Sequence, residues 1–220
     1  MSDLALIHNY QEARPEISGT APIVLMIHGY GSHENDLFGI KDYLGNDAHF
    51  VSVRAPMNLG FGGFAWYPIH FDEIGAKTSD TTIAAESRDL LRGFIRDFRA
   101  KYNLESNPLW LMGFSQGGIL SYAYALSYPK EVDKVMALSA YVLKEIVPTQ
   151  FRPLELKTLD FFISHGTEDG VIPVQAARMT VEFLERLQIS HQYREYPAAH
   201  GLNPENLQDL KAWFEERIKN

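Results

Sequence analysis

The chain has 220 residues, no cysteine and a formal net charge of −8 at pH 7. Without cysteine there can be no disulfide, thiolate metal site or cysteine nucleophile. The excess of acid argues against nucleic acid as a partner, because binding phosphates needs a concentrated basic face. At 45% hydrophobic content the chain can build one sizeable core, so a single domain over 1–220 is expected.

The first residues, MSDLALIHN, have neither the basic start nor the long apolar region of a signal peptide. Apolar runs elsewhere are far shorter than the roughly 20 residues that span a bilayer. The expectation is a soluble cytoplasmic protein without stable membrane insertion.

In chain order, residues 22–28 (PIVLMIH) form an unbroken apolar run, as in a strand covered on both faces. Residues 50–54 read as a second strand. Residues 57–82 are rich in glycine and aromatics (Phe61, Phe64, Trp66, Tyr67, Phe71) and read as a cap-like loop or short helix over one end of the sheet. Ile83, Leu90, Leu91, Phe94, Ile95, Phe98 and Tyr102 make a helical stripe. Arg88, Arg92, Arg96, Arg99 and Lys101 on that helix alternate with Glu86, Asp89 and Asp97, the pattern of a solvated face. Further strands are predicted at 109–113, 134–139 and 160–165. A helix follows the first of these over 116–128, and a second cap-like segment with Pro148 and Pro153 covers 141–158. Val174, Ala177, Val181 and Leu184 mark another helix. Residues 192–196 alternate polar and apolar, as near a sheet edge. Asn203-Pro204-Glu205 then opens the last helix as N-cap, N1 proline and first-turn acid. Strands alternating with helices imply an α/β fold, a mostly parallel central sheet with helices on both faces. Ligands of such sheets sit at the carboxyl ends of the strands.

Gly113-Phe114-Ser115-Gln116-Gly117 falls where a predicted strand turns into a predicted helix. A G-x-S-x-G pattern alone is weak, arising in roughly one random chain in fifteen of this length. At a strand-to-helix bend it makes a nucleophile elbow, too tight for side chains two residues before and after the serine. A serine hydroxyl needs a base, and the base an orienting carboxylate. His28, His165 and His200 all follow predicted strands. In hydrolases with such an elbow the order is Ser, acid, His, and only His200 has a carboxyl-end acid between itself and Ser115. Asp169 is preferred for that acid because it directly precedes the Gly170 turn, with Glu168 as its rival. The oxyanion of an ester needs backbone N–H donors. Gln116, just after the nucleophile, supplies one, and Tyr30 in the glycine-bearing HGYG loop is the choice for the second.

HGYGSHENDL, GFSQGG, HGTEDGVIP and AHGL stand in the order and spacing of the phospholipase/carboxylesterase family of α/β hydrolases, which the chain resembles from about Ile23 to Phe214. The resemblance implies Ser115, Asp169 and His200 as triad and Tyr30 and Gln116 as oxyanion donors. It also implies that FAWYPI, with Phe64 and above all Trp66, lines the acyl or alcohol pocket, where Ile172 of HGTEDGVIP joins them. Family members acting on acyl proteins usually read Leu-Gly-Asp after the His-Gly, where this chain reads Tyr30-Gly31-Ser32. That departure and the aromatic richness of 61–71 favour a bacterial-type hydrolase of small esters.

The expected activity is cleavage of small-molecule carboxylic esters of small to medium acyl chain, through an acyl-enzyme, with no metal and no cofactor. An acyl thioesterase or lysophospholipase is the alternative among enzymes. A catalytically silent hydrolase fold used for binding is the alternative of another class, and a carboxylate-oriented base argues against it. Oligomeric state is not readable, and a homodimer stays open.

Overall fold

The computed structural model describes residues 9–15, 20–71 and 77–219. The N-terminal stretch read for a leader, up to residue 8, and residues 72–76 of the aromatic segment lie outside them.

The elements run β1 (Tyr10–Ala13), β2 (Ile23–Ile27), α1 (Lys41–Leu44), β3 (His49–Val53), β4 (Met57–Gly60), β5 (Gly63–Ala65), β6 (Ile69–Phe71), β7 (Lys77–Ser79) and α2 (Thr81–Tyr102). They continue with β8 (Leu109–Phe114), α3 (Gln116–Ser127), β9 (Lys134–Leu138), α4 (Pro153–Leu156), β10 (Asp160–Gly166), α5 (Val174–Arg186), β11 (Ser190–Tyr196) and α6 (Pro204–Ile218). Among the described residues, seven strands form the main sheet in the order β1-β3-β2-β8-β9-β10-β11. All neighbours pair in parallel except β1, which runs antiparallel along β3. The six strands expected from the sequence are all in it, and the alternating β11 lies at an edge. β1 was not expected, because YQEA is only four residues of mixed polarity.

The central strands are covered twice over, and their alternation feeds two cores. Ile23, Leu25, Ile27, Leu109, Leu111, Val135, Ala137, Phe161 and Ile163 face one cluster, shared with Leu91 and Ile95 of α2, Leu120 and Tyr124 of α3, and Leu184 of α5. Val24, Met26, Trp110, Met112, Met136, Leu138 and Phe162 face the other, closed by Leu44 of α1 and Leu210, Trp213 and Phe214 of α6. This is why the strands read as continuous apolar runs: a period of two with both faces buried shows no alternation.

Helix ends follow local chemistry. The Asp80 carboxylate accepts from Ile83 N at 2.9 Å at the start of α2, and the Asn203 side chain accepts from Asn206 N at 2.8 Å at the start of α6. The basic residues of α2 are largely paired on the surface, Arg92 with Glu131 in the connection from α3 to β9 and Arg96 with Asp97.

The cap-like segment 57–82 holds two hairpins, β4-β5 and β6-β7, and the first turn of α2, in place of the loop or short helix expected. Gly60 and Gly62 (φ 84° and 81°) make the β4-β5 turn, which is why a glycine-rich stretch here carries strands. The segment 141–158 holds a single 3-10 turn at Lys144–Ile146 and the one-turn α4.

Candidate active site

Because the sheet is parallel, the carboxyl ends of β2, β8, β10 and β11 share one edge, and every predicted site residue lies beyond that edge or on the cap segment over it. β8 runs straight into α3 through Ser115, whose backbone takes φ 54° and ψ −118°. That conformation is costly for a residue with a Cβ and persists only where its surroundings enforce it. They do so here by close approach. A Cβ on Gly117 would strike the carbonyl of Ile27 on β2, and one on Gly113 would strike the carbonyl of Gly117. Gly118 lies just as close to Ala140 after β9. The bend is therefore held between three strands, and Ser115 N is fixed to Leu138 O at 2.9 Å.

His200 must cross from β11, three strands away, to reach Ser115. The loop after β11 folds back over the end of β10, where Thr167 N donates to Tyr196 O at 2.8 Å and Glu168 N to Ala198 O at 3.0 Å. Gly166 makes this passage possible, since a Cβ there would strike the carbonyls of Ala198 and Ala199. The sequence reading missed this role, because nothing local marks it. His200 Nε2 then lies 2.9 Å from Ser115 Oγ, and its Nδ1 lies 2.6 Å from Asp169 Oδ2. The Phe114 ring packs against the imidazole with centroids 5.0 Å apart. The other carboxylate oxygen of Asp169 accepts from Val171 N and Ile172 N, both at 2.8 Å. Burial works against the charge of Asp169, but the His200 bond and the two N–H groups outweigh it and hold the carboxyl below its ordinary value. Glu168, the rival acid, is exposed to solvent.

His28, a candidate base by position, is fully buried and occupied elsewhere. Its Nε2 accepts from Ala55 N at 3.0 Å, so the ring proton sits on Nδ1 and goes to Gly29 O at 2.7 Å. Burial pushes its imidazole below the ordinary value, against the raising effect of the Gly29 bond. His28 thus fastens the HGYG loop to the chain after β3. Glu34 does the same from the far end of that loop: buried, it takes a bidentate ion pair from Arg54, with Arg54 Nε to Oε2 at 2.5 Å. The loop carries the N–H of Tyr30. Neither that group nor the N–H of Gln116, at the first position of α3, has an acceptor among the described residues.

The Gln116 side chain points the other way. Its Oε1 accepts from Trp66 N and its Nε2 donates to Tyr67 O, both at 2.8 Å. Ser87 Oγ on α2 adds a bond to Trp66 O at 2.5 Å.

A cavity of about 950 Å³ opens beside Ser115 and His200. Tyr30, Gln116 and Ile172 line it, with Tyr67, Ile119 and Leu143 as further walls. Trp66 does not, which corrects the expectation for it. It is fully buried, its Nε1 donates to His28 O at 2.9 Å, and its ring lies against His28. Phe64 is not in the wall either. Its backbone bonds to Gly31 and Ser32, and its ring lies under the Arg54 guanidinium, 4.7 Å from the centroid. Just past the end of β5, Trp66 turns inward, and its neighbour Tyr67 takes the cavity side. Among the described residues no group of three His, Asp or Glu gathers to hold a metal, and no helix is long and apolar enough to cross a membrane.

The family model described as Phospholipase/Carboxylesterase matches residues 8–218. The chain is 25% identical over 228 residues to acyl-protein thioesterase 1 of Emericella nidulans, covering 93% of each chain. It is 28% identical over 210 residues to the probable carboxylesterase SOBER1-like of Arabidopsis thaliana, covering 90% of this chain and 79% of that one. In three dimensions it superposes on the Bacillus cereus carboxylesterase with a TM-score of 0.81 at 19% identity, covering 97% and 96% of the two chains. The chain has the α/β-hydrolase fold and belongs to the phospholipase/carboxylesterase family.

Proposed function

We propose that this protein is a serine hydrolase that cleaves carboxylic esters through an acyl-enzyme, with Ser115, His200 and Asp169 as its triad. The observation that carries the reading is the one imidazole held at 2.9 Å from Ser115 Oγ and 2.6 Å from Asp169 Oδ2. A chain of bonds in that order is the arrangement that activates a serine hydroxyl.

The Ser115 proton passes to His200 Nε2 as Oγ attacks the ester carbonyl carbon. The N–H groups of Tyr30 and Gln116 take the resulting oxyanion, and the start of α3 adds its positive end to the same place. As the tetrahedral centre collapses, the carbon–oxygen bond to the alcohol breaks, and the alcohol leaves with the proton from Nε2. Water then attacks the acyl-enzyme, giving its proton to Nε2; the bond from the acyl carbon to Oγ breaks, Oγ takes the proton back from Nε2, and the acid leaves. Throughout, Asp169 holds the His200 tautomer and balances the imidazolium. A cavity of about 950 Å³ holds an acyl chain of medium length.

The test is hydrolysis of p-nitrophenyl esters from acetate to palmitate by the wild type and Ser115→Ala. Turnover should fall by three or more orders of magnitude in the variant while the fold persists. Equal turnover in both would sink the reading. No turnover of any ester, with no labelling of Ser115 by a fluorophosphonate, would point to a silent binding fold. The relationship to an acyl-protein thioesterase over 93% of both chains favours a second reading within the same mechanism. Comparing thioester and oxygen-ester turnover of one acyl chain separates the two.

A further inference from the structure

The mechanism above leaves unused a buried titratable group that stands beside the triad acid. His165, near the end of β10, is wholly buried, and its side chain lies within the acid turn of the proposed triad. Its Nε2 lies 2.8 Å from Ile172 O and 3.3 Å from Asp169 Oδ2. Its Nδ1 has no partner among the described residues. The ring proton therefore belongs on Nε2, which has the Ile172 carbonyl as its acceptor.

We infer that His165 is a positioning residue for the triad acid, its Nε2–H tying down the 169–172 turn through the Ile172 carbonyl while the same edge of the ring stands 3.3 Å from Asp169 Oδ2. The inference rests on the triad reading. The turn is fastened at both ends of its peptide chemistry. Asp169 Oδ1 takes the N–H groups of Val171 and Ile172, and His165 takes the carbonyl of Ile172. The carboxylate can neither rotate about its last bond nor withdraw from His200.

The second consequence is electrostatic. A donor edge 3.3 Å from Oδ2 draws charge from the oxygen that His200 uses. Removing it leaves Asp169 a stronger acceptor for His200 and favours the imidazolium. The other charged groups nearby do not serve this purpose. Glu195, opposite His165 in the register with β11, is held by Arg178 of α5 through two bonds of 2.7 Å. Glu168, on the turn itself, faces solvent.

The comparison that tests this is His165→Gln against His165→Met. The two side chains are nearly isosteric, and only glutamine keeps a donor where Nε2 stands. In His165→Met the acid limb of the kcat/KM pH profile should move up by about half a unit. In His165→Gln it should stay with the wild type. The downfield proton resonance of the His200–Asp169 bond provides a readout that needs no substrate. It should move in the methionine variant and hold in the glutamine variant, so failure here is distinct from failure of the esterase reading. If the methionine variant does not fold, His165→Asn, whose shorter amide ends near the Nδ1 position, takes its place with the same expectation. An unmoved limb and resonance in the donor-less variant, whatever its kcat, would mean that His165 only fills space. An equal move in both variants would mean that the ring, and not its donor, matters. Either result overturns the inference.

Discussion

At the scale of single residues, the site is decided by where a Cβ cannot go. Ser115 sits at φ 54° because three strand ends leave the bend no other path. The glycines around it are demanded by different neighbours. Gly117 makes room for the Ile27 and His28 carbonyls, Gly113 for the Gly117 carbonyl, and Gly166 for the loop that carries His200. Backbone carbonyls cannot rotate aside as a flexible side chain can, so these positions have no tolerance. Gly117→Ala should yield no soluble folded protein, or one destabilised by at least about 4 kcal/mol. A variant with wild-type melting temperature would show that the β2–α3 contact gives way. Two of these glycines are visible in the sequence as a motif. Gly166 is not, since its neighbour in space is more than thirty residues away.

At the scale of elements, the site's parts are fastened together by polar groups that do no chemistry. Gln116 is the clearest case. Its backbone belongs to the start of α3, while its side chain satisfies the buried N–H of Trp66 and C=O of Tyr67 on the cap segment. Gln116→Leu keeps the volume and leaves both groups buried without partners. Each unmet group costs about 1–3 kcal/mol, so urea denaturation should show a loss on the order of 2–4 kcal/mol. KM should rise too, since Tyr67 is a wall of the cavity. A stability change within error would mean that the 64–67 segment finds other partners. The ion pair of Glu34 with Arg54 fastens the HGYG loop in the same way. It holds the Glu34 carboxyl below its ordinary value of 4.5, chiefly through the hydrogen bond from Arg54 and against the opposing effect of burial.

At the scale of the whole molecule, two properties emerge that no segment has alone. The first is acid sensitivity. The carboxyls of Glu34 and Asp169 both lie below their ordinary values in the fold, 4.5 and 3.8. Their stabilising contribution is complete above those values and is lost as pH falls through the lower, folded ones. Stability should therefore hold down to about pH 5 and fall below about pH 4. Glu34→Gln should be less stable than wild type at pH 7 by about 2 kcal/mol and lose less on acidification. Parallel stability curves for the two proteins would remove Glu34 from the account. The second property is the cavity, whose walls come from the HGYG loop, Tyr67 and the β6-β7 pair, α3, the 141–146 segment and the acid turn. Leu143→Trp fills part of that space and should move the best p-nitrophenyl ester towards shorter acyl chains. An unchanged optimum would place the acyl chain elsewhere.

The sequence by itself determined the α/β class, six of the seven sheet strands, the four long helices and the elbow at Ser115. These rest on local physics: runs of apolar residues with a fixed period, caps, and glycines two residues from a serine. It also made His200 the candidate base through chain order, and Asp169, over Glu168, the candidate acid through its place before the Gly170 turn. Tertiary structure decided the rest, because the rest depends on contacts between distant segments. The edge strand β1 exists only through its pairing with β3. The hairpins of the cap look like loop because their strands are three and four residues long. FAWYPI says that aromatics are present but not which face each one takes. That was settled by the carbonyl of His28, which claims the indole N–H of Trp66 and leaves Tyr67 to the cavity. The side chain of His165 carries the same sequence signal as those of His28 and His200. Only folding gives the three rings different work, since an imidazole's role is set by what stands opposite its two nitrogens.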